Sequence, residues 1–350
     1  MLDEIRQQPE ALERTLRGEL RGAEQLRKLL ERNRPKLIIL AARGTSDNAA
    51  QFGRYLLEIT TRIPTCLAAP SVSTLYQSEI DYSGALVVAI SQSGESTDTN
   101  VVLQNARRAG AMTVGITNES ESSMANLAEH LFLVRAGKEK SVAATKTYTG
   151  QLLSMYMLAW ALGAGFDLDE LRALPELAAK TLKLEPQIAD LAGRYRFVDH
   201  CVVIGRGLNY SNTFEFALKL METCYVVAER FSSADLQHGP IAMMEQSFPA
   251  FVFAPPGVTW PGIRDLLVKL EGLKADTLVI TDQGHKPAIE VSKRRIVTPL
   301  KRTRKARAIE DLYTPIPYII PAQLFAAKLA AEKGNDPDQP RTLQKVTRTL

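Results

Sequence analysis

The residues whose types and spacing best suit chemistry lie between Ile90 and Thr99, in the run ISQSGESTDT. An apolar stretch, Leu86 to Ile90, leads into it after Gly84, and such continuity suits a strand buried on both faces of a parallel sheet. Thr97 to Ala109 reads as the following helix, and Gly94 supplies the backbone freedom that a tight turn beside a ligand demands. Ser91, Gln92, Ser93 and Ser96 then stand at a helix N-terminus. Free N–H groups, the positive end of the helix dipole and several hydroxyls make a cradle there for an anion, most naturally a phosphate. No lysine follows the glycine as in a Walker loop, and no further glycines complete a dinucleotide fingerprint, so a sugar phosphate fits better than a nucleotide. The plainer alternative is a serine-rich helix cap.

A second hydroxyl-rich turn, Arg43, Gly44, Thr45, Ser46, Asp47 and Asn48, follows the apolar run Leu37 to Ala42. Further along, Lys219 and Glu222 lie three residues apart in a segment that reads as helix from Asn212 to about Val227, which puts both on one face. A base and a cation there could serve one ligand; an ordinary surface ion pair is the plain reading. His238, one of four histidines, precedes Gly239 and Pro240. That loop setting suits an acid or base group as well as a merely exposed ring.

These residues need a scaffold, and the chain supplies alternating strand and helix patterns. Met1 to Arg32 reads as helix with Gly22 as a breaker; then come a strand at Leu37 to Ala42, a helix to about Thr60, a short strand near Cys66 and a helix around Ser73 to Ile80. Strands at Met112 to Thr117 and Leu131 to Val134 follow, then an apolar helix from Thr149 to Leu162 and a polar helical linker to about Arg194. This alternation predicts a parallel sheet with helices on both faces. The pattern then repeats: KLIILAARGTSDNAAQF aligns with HCVVIGRGLNYSNTFEF, matching Arg43-Gly44 to Arg206-Gly207, and Ser91, Ser93 and Gly94 fall on Ala254, Pro256 and Gly257. Two similar sheets are expected, with the hydroxyls, and hence the phosphate, confined to the first.

Composition excludes several classes. The 350 residues suit two domains, 45% hydrophobic and 23% charged residues are those of a soluble globular protein, and no apolar run approaches a membrane span. Early acids in MLDEIRQQPE argue against a secretory or transit peptide, so the cytoplasm is the expected compartment. Three cysteines, Cys66, Cys201 and Cys224, without metal-ligand spacing, predict neither disulfide nor zinc. Lys293, Arg294, Arg295, Lys301, Arg302, Arg304, Lys305 and Arg307 are bases with no acid among them. Lacking interleaved aromatics, they read as a solvated connector rather than a nucleic-acid patch.

Six ordered motifs carry a family resemblance: GTS at Gly44 to Ser46, SQSGE at Ser91 to Glu95, VAATK at Val142 to Lys146, ALKLMETCY at Ala217 to Tyr225, LQHGP at Leu236 to Pro240 and DQPRTLQK at Asp338 to Lys345. Residues 35 to 350 resemble the isomerase half of glutamine–fructose-6-phosphate aminotransferase, two sugar isomerase (SIS) domains with an ordered C-terminal tail. The resemblance implies an α/β fold of two flavodoxin-like three-layer sandwiches, divided as a helical segment 1–34, SIS domains 35–165 and 196–330, a linker 166–195 and a tail 331–350. It implies that Gly44, Thr45, Ser46, Ser91, Gln92, Ser93 and Ser96 hold phosphate and sugar, and that Val142 lines the sugar site. Lys219 and Glu222 would be the helix pair, His238 would open the ring from a neighbouring subunit, and Lys345 would reach the substrate from the tail. A homodimer without cofactor or metal follows, acting on a small sugar phosphate and not on nucleic acid or membrane. Arg43 departs from the family's cysteine, Ser96 from a threonine, Ala144 from a serine and Gln344 from an alanine. Leu2 follows Met1 where the synthase has an N-terminal cysteine, and the ending LQKVTRTL resembles stand-alone SIS-type glucosamine-6-phosphate deaminases. The expected activity is therefore deamination of glucosamine 6-phosphate; the alternatives are a synthase using free or partner-supplied ammonia, a fructosamine-6-phosphate deglycase and a non-catalytic sugar-phosphate sensor.

Overall fold

The structure, a computed structural model, describes residues 1–165, 167–300 and 309–342. They fall into two compact units. One holds Gln7–Lys140 and Ala144–Pro175; the other holds Met1–Arg6, Ser141–Ala143 and residues 176–342. In chain order the elements of the first half are α1 (Leu2–Arg6), α2 (Gln8–Arg32), β1 (Leu37–Ala41), α3 (Thr45–Thr61), β2 (Thr65–Leu67), α4 (Pro70–Thr74) and β3 (Ala85–Ser91). Then come α5 (Thr97–Arg108), β4 (Met112–Thr117), α6 (Ser123–Leu127), β5 (His130–Leu133) and α7 (Lys146–Ala161). The rest comprises α8 (Leu168–Arg172), α9 (Leu174–Leu182), α10 (Glu185–Arg194), β6 (His200–Gly205), α11 (Tyr210–Lys219) and β7 (Val227–Ser232). It ends with β8 (Pro249–Phe253), α12 (Trp260–Gly272), β9 (Asp276–Asp282), α13 (Lys286–Val291), β10 (Arg294–Thr298) and α14 (Pro315–Glu332).

Each unit is built on one five-stranded parallel sheet, ordered β2-β1-β3-β4-β5 and β10-β9-β8-β6-β7. The order is the same in both, so strand direction of travel reverses between β1 and β3 in one sheet and between β6 and β8 in the other. Alternating side chains divide between two helical layers. Ile39, Ala41 and Val87 pack with Val102 and Ala106 of α5, while Leu40 faces α3 and α7 beside Gly53 and Met155. In the second sheet Val202, Ile204, Val252 and Val279 pack on Ile263, Leu266 and Leu270 of α12. Phe251 and Phe253 point the other way, onto Phe216 of α11, and Phe251 also meets Phe325 of α14 and Tyr195. The central helices α7 and α14 are buried almost all round, which explains why their sequences are apolar on every face.

Several expectations are corrected. Gly22 does not break the first helix, because the stripe Leu12, Leu16, Ala23, Leu26 and Leu30 stays in phase across it and is buried; one interior glycine costs only about 1 kcal/mol. The interruption falls at Gln7, where Pro9 in the first turn of α2 starts a new helix. The helix expected at Ser73 to Ile80 is α4, which ends at Thr74: Gln77 has φ +51, and Leu75 and Tyr76 find no buried face. Val227 begins β7 rather than ending the preceding helix. Lys293, Arg294 and Arg295, expected in a connector, lead into the edge strand β10, where Lys293 pairs with Glu271 at 2.8 Å and Arg294 binds Asp276. Charge on an edge strand is a common guard against further pairing. The remaining bases, Lys301, Arg302, Arg304, Lys305 and Arg307, and the tail residues Gln344 and Lys345, lie outside the described residues. No described helix is long and apolar enough to cross a membrane, and all three cysteines are free.

Candidate active site

Strands β1 and β3 are neighbours at the point where the order of the first sheet reverses, and ligands of open α/β sheets bind outside the strand ends there. The two hydroxyl-rich turns therefore meet at one crevice. Gly44, at φ +57, precedes α3, and a methyl group built on it would meet no atom within 4 Å. Thr45 and Ser46 open α3, and the buried Ser46 Oγ accepts a 2.9 Å bond from Gln151 Nε2 of α7. From β3, Ser91 Oγ accepts from Gly94 N at 3.1 Å and Ser93 Oγ from Glu95 N at 3.2 Å. These bonds fold the loop on itself. Gly94 has φ +67, and its carbonyl takes bonds from Asn100 Nδ2 and Met124 N, both 3.0 Å. Glu95 turns away and accepts from Ser123 N and Oγ at 2.8 and 2.7 Å. Ser96 stands at the cap of α5 without capping it by its side chain, and Gln92 and Ser93 are half-buried. The result is a helix N-terminus beside hydroxyl-bearing loop residues at the strand reversal, an arrangement suited to an anion.

One charged pair spans this crevice. Arg43, two residues beyond β1, donates from Nε and Nη2 to Asp98 Oδ2 at 3.0 and 2.6 Å, and Asp98 lies in the first turn of α5. Burial lifts the neighbouring Asp47 carboxyl above its usual range, with Arg43 pulling it back.

In the other unit, α11 ends at Lys219 and continues as a single π-helical stretch, Leu220–Cys224, closed by Tyr225 at φ +56. Such wide turns are uncommon and recur at functional sites. Lys219 Nζ, fully buried, lies 2.5 Å from Glu222 Oε2 and 3.5 Å from Glu215 Oε1, and Glu222 keeps 22% exposure. Glu222 is thus a carboxylate at the surface of the unit held by a buried ammonium. Val142 is half-buried in the bend Ser141–Ala143, whose Ser141 N–H reaches the Glu4 carboxylate at 3.3 Å. His238 is exposed, at the end of a 3₁₀ turn, Asp235–His238, after β7.

The second sheet has its own reversal crevice between β6 and β8, and it is filled. Gly207 (φ +60) and Gly257 (φ +96) occupy the places of the two loop glycines, and methyl groups built on them would each stand 3.9 Å from an Asp311 carboxylate oxygen. The turn carrying Asp311 is fastened by Asn209 Nδ2 to Thr314 Oγ1 at 2.7 Å and by Asn212 Nδ2 to Pro315 O at 2.9 Å. Burial raises the Asp311 carboxyl to about 6, its own backbone N–H opposing and Glu310 adding to the rise.

Residues 33–161 and 196–333 match the SIS domain family. The chain belongs to that family. Glutamine–fructose-6-phosphate aminotransferase (isomerizing) of Pyrococcus horikoshii is 36% identical over 351 residues, 99% of this chain and 57% of that protein. The chain thus spans little more than half the length of the curated relatives it matches. The solved C-terminal domain of glucosamine-fructose-6-phosphate aminotransferase from Francisella tularensis superimposes with a TM-score of 0.85 at 29% identity, covering 97% of this chain and 98% of that one. Glucosamine-6-phosphate deaminase from Thermotoga maritima shares the fold, with a TM-score of 0.71 at 22% identity over 96% of this chain and 100% of that one.

Within the SIS domains the structure gathers Gly44, Thr45, Ser46, Ser91, Gln92, Ser93 and Ser96 at one crevice, and Lys219 with Glu222 on one turn. Sequence reasoning missed Glu215, although its place four residues before Lys219 is a readable helical spacing. It also missed Asp98, Gln151 and Asp311, whose partners are distant in the chain. Among the described residues no group of three His, Cys, Asp or Glu side chains is placed to hold a metal.

Proposed function

We propose that this chain isomerises glucosamine 6-phosphate and hydrolyses the product imine, releasing fructose 6-phosphate and ammonia. The observation that carries the reading is the Lys219–Glu222 pair, with its carboxylate part-exposed and its ammonium buried. Hydroxyls and amides of the Ser91 to Ser96 loop, with Gly44, Thr45 and Ser46, take the phosphate. His238 protonates the ring oxygen and opens the sugar to its C1 aldehyde. Glu222 then removes the C2 proton and returns it at C1, one group serving both because the carbons are adjacent. Lys219 stabilises the negative charge that develops on oxygen in between. The C2 imine adds water and expels ammonia directly, or Lys345 displaces the ammonia to form a Schiff base whose hydrolysis gives the ketose and frees the lysine. Exposure of His238 on its own chain supports the reading in which a second copy receives it. Support for isomerisation comes also from the relatives, which are named as isomerising aminotransferases.

Those names equally favour a second reading, synthesis of the amino sugar from fructose 6-phosphate. The test measures ammonia and fructose 6-phosphate released from glucosamine 6-phosphate by the parent protein and by Glu222→Gln. Equal amounts of both products, reduced about 10²- to 10⁴-fold in the variant, are expected from loss of a general base. Amino sugar formed only from fructose 6-phosphate and ammonium would transfer the assignment to synthesis. Inactivity in both directions would refute both.

A further inference from the structure

We propose that Arg43 is the charged anchor of the phosphate crevice, a binding residue that Asp98 holds in place. This rests on the reading of that crevice as a sugar-phosphate site. The Ser91 to Ser96 loop contains no cation, and its one charged residue, Glu95, is engaged with Ser123. A helix N-terminus supplies only about half a positive charge. Asp98 places a full negative charge in that same first turn, 3% exposed, where it opposes a phosphate. Arg43 reverses this balance. Its guanidinium has five N–H donors, of which Nε and Nη2 serve Asp98 Oδ2. No further hydrogen bond of the guanidinium forms among the described residues, and the side chain stays 50% exposed. The opposite edge of the fork therefore remains available for a planar, bidentate contact with phosphate oxygens. Its location agrees: Arg43 adjoins the open turn at Gly44, and its head reaches across the strand reversal to the N-terminus of α5. Among the described residues the hydrogen bonds to the Asp98 side chain are those from Arg43 to Oδ2.

The experiment is calorimetric titration of the full chain with inorganic phosphate, and separately with fructose 6-phosphate, for the parent, Arg43→Gln, and Arg43→Gln combined with Asp98→Asn. Thermal unfolding is followed on the same samples. Arg43→Gln should weaken phosphate binding about 10- to 100-fold, the range for a lost charge-assisted contact, and should also lower the melting temperature because Asp98 is left buried and charged. The double variant should regain the melting temperature and not the affinity. Recovery of both would overturn the proposal and leave Arg43 as a counter-ion only, as would a parent protein that does not bind phosphate. Loss of affinity in Arg43→Gln, in a protein that binds phosphate yet never turns over glucosamine 6-phosphate, would support Arg43 while refuting the activity.

Discussion

Replacing Asp311 by Asn should stabilise the second sheet's unit at neutral pH, and by an amount that grows with pH in a defined window. The carboxyl is 3% exposed, and burial raises it from an ordinary 3.8 to about 6. No ion pair to it forms among the described residues. Between pH 4 and pH 6 the folded chain therefore retains a proton that the unfolded chain has lost. Folding stability falls as pH rises through that window, and above it the full cost of the buried charge is present. Two pH decades correspond to about 3 kcal/mol, an upper bound on what Asp311→Asn can recover. The assay is urea denaturation of parent and variant from pH 4 to pH 8. Trp260 reports the unit, with Trp160→Phe in the background so that it is the one tryptophan of two that remains. Only the difference between the proteins matters, since other groups titrate in both. A gain of about 1 to 3 kcal/mol at pH 7.5, shrinking toward zero at pH 4, is expected from the raised carboxyl. A difference that does not change with pH would show that Asp311 titrates alike in the folded and unfolded chain, and a variant less stable than the parent at pH 7.5 would show it ionised and paired; either would refute the reasoning.

Gly94→Ala should damage both fold and crevice. A methyl group there would overlap Ser122 Oγ and Cβ and stand 2.9 Å from Thr117 Oγ1, at a φ of +67 that disfavours alanine. A loss of about 2 to 4 kcal/mol in unfolding free energy, with weaker phosphate binding by titration, follows from overpacking and backbone strain; parent-like stability would show that the loop shifts freely. Lys219→Met should cost about 3 to 5 kcal/mol by leaving the buried Glu215 carboxylate without its ammonium. Adding Glu215→Gln should restore most of the melting temperature and none of the turnover. Restored turnover would exclude Lys219 from the chemistry.

Much of this was legible because it was local. The apolar run before Ser91 and the glycines at positions 44 and 94 follow from a strand meeting a helix through positive backbone angles, and those angles are found. The repeat was legible for the same reason: Gly207 matches Gly44 in sequence and in φ, +60 against +57. What was hidden is non-local. Leu220 to Cys224 has no residue that forbids an α-turn, so its π geometry reflects packing around it, including Cys224 Sγ on Ala326 O at 3.2 Å. Arg43 was visible only as a departure from the family's cysteine, because the partner that gives it a role lies 55 residues away. Asp311 carried no signal, since nothing in its neighbourhood says that its turn closes a crevice made by residues some 50 to 100 positions earlier.

A duplicated sheet brings two crevices by geometry, so charge and filling must decide what each can accept. In the first, the turn at Gly44 is open, the loop offers hydroxyls, and the one buried carboxylate at the helix start is matched by Arg43. In the second, Ala254, Pro255 and Pro256 offer no side-chain hydroxyl, and Asp311 stands over both glycines. An anion placed about 4 Å from an ionised Asp311 would be repelled by roughly 4 kcal/mol at an effective dielectric constant near 20. The helix N-terminus would return about 0.3 to 1 kcal/mol of attraction. Repulsion wins at neutral pH. Among the described residues no cation pairs with Asp311, so the charge that destabilises the second unit also opposes a phosphate there, whereas in the first unit Arg43 matches the carboxylate at the helix start.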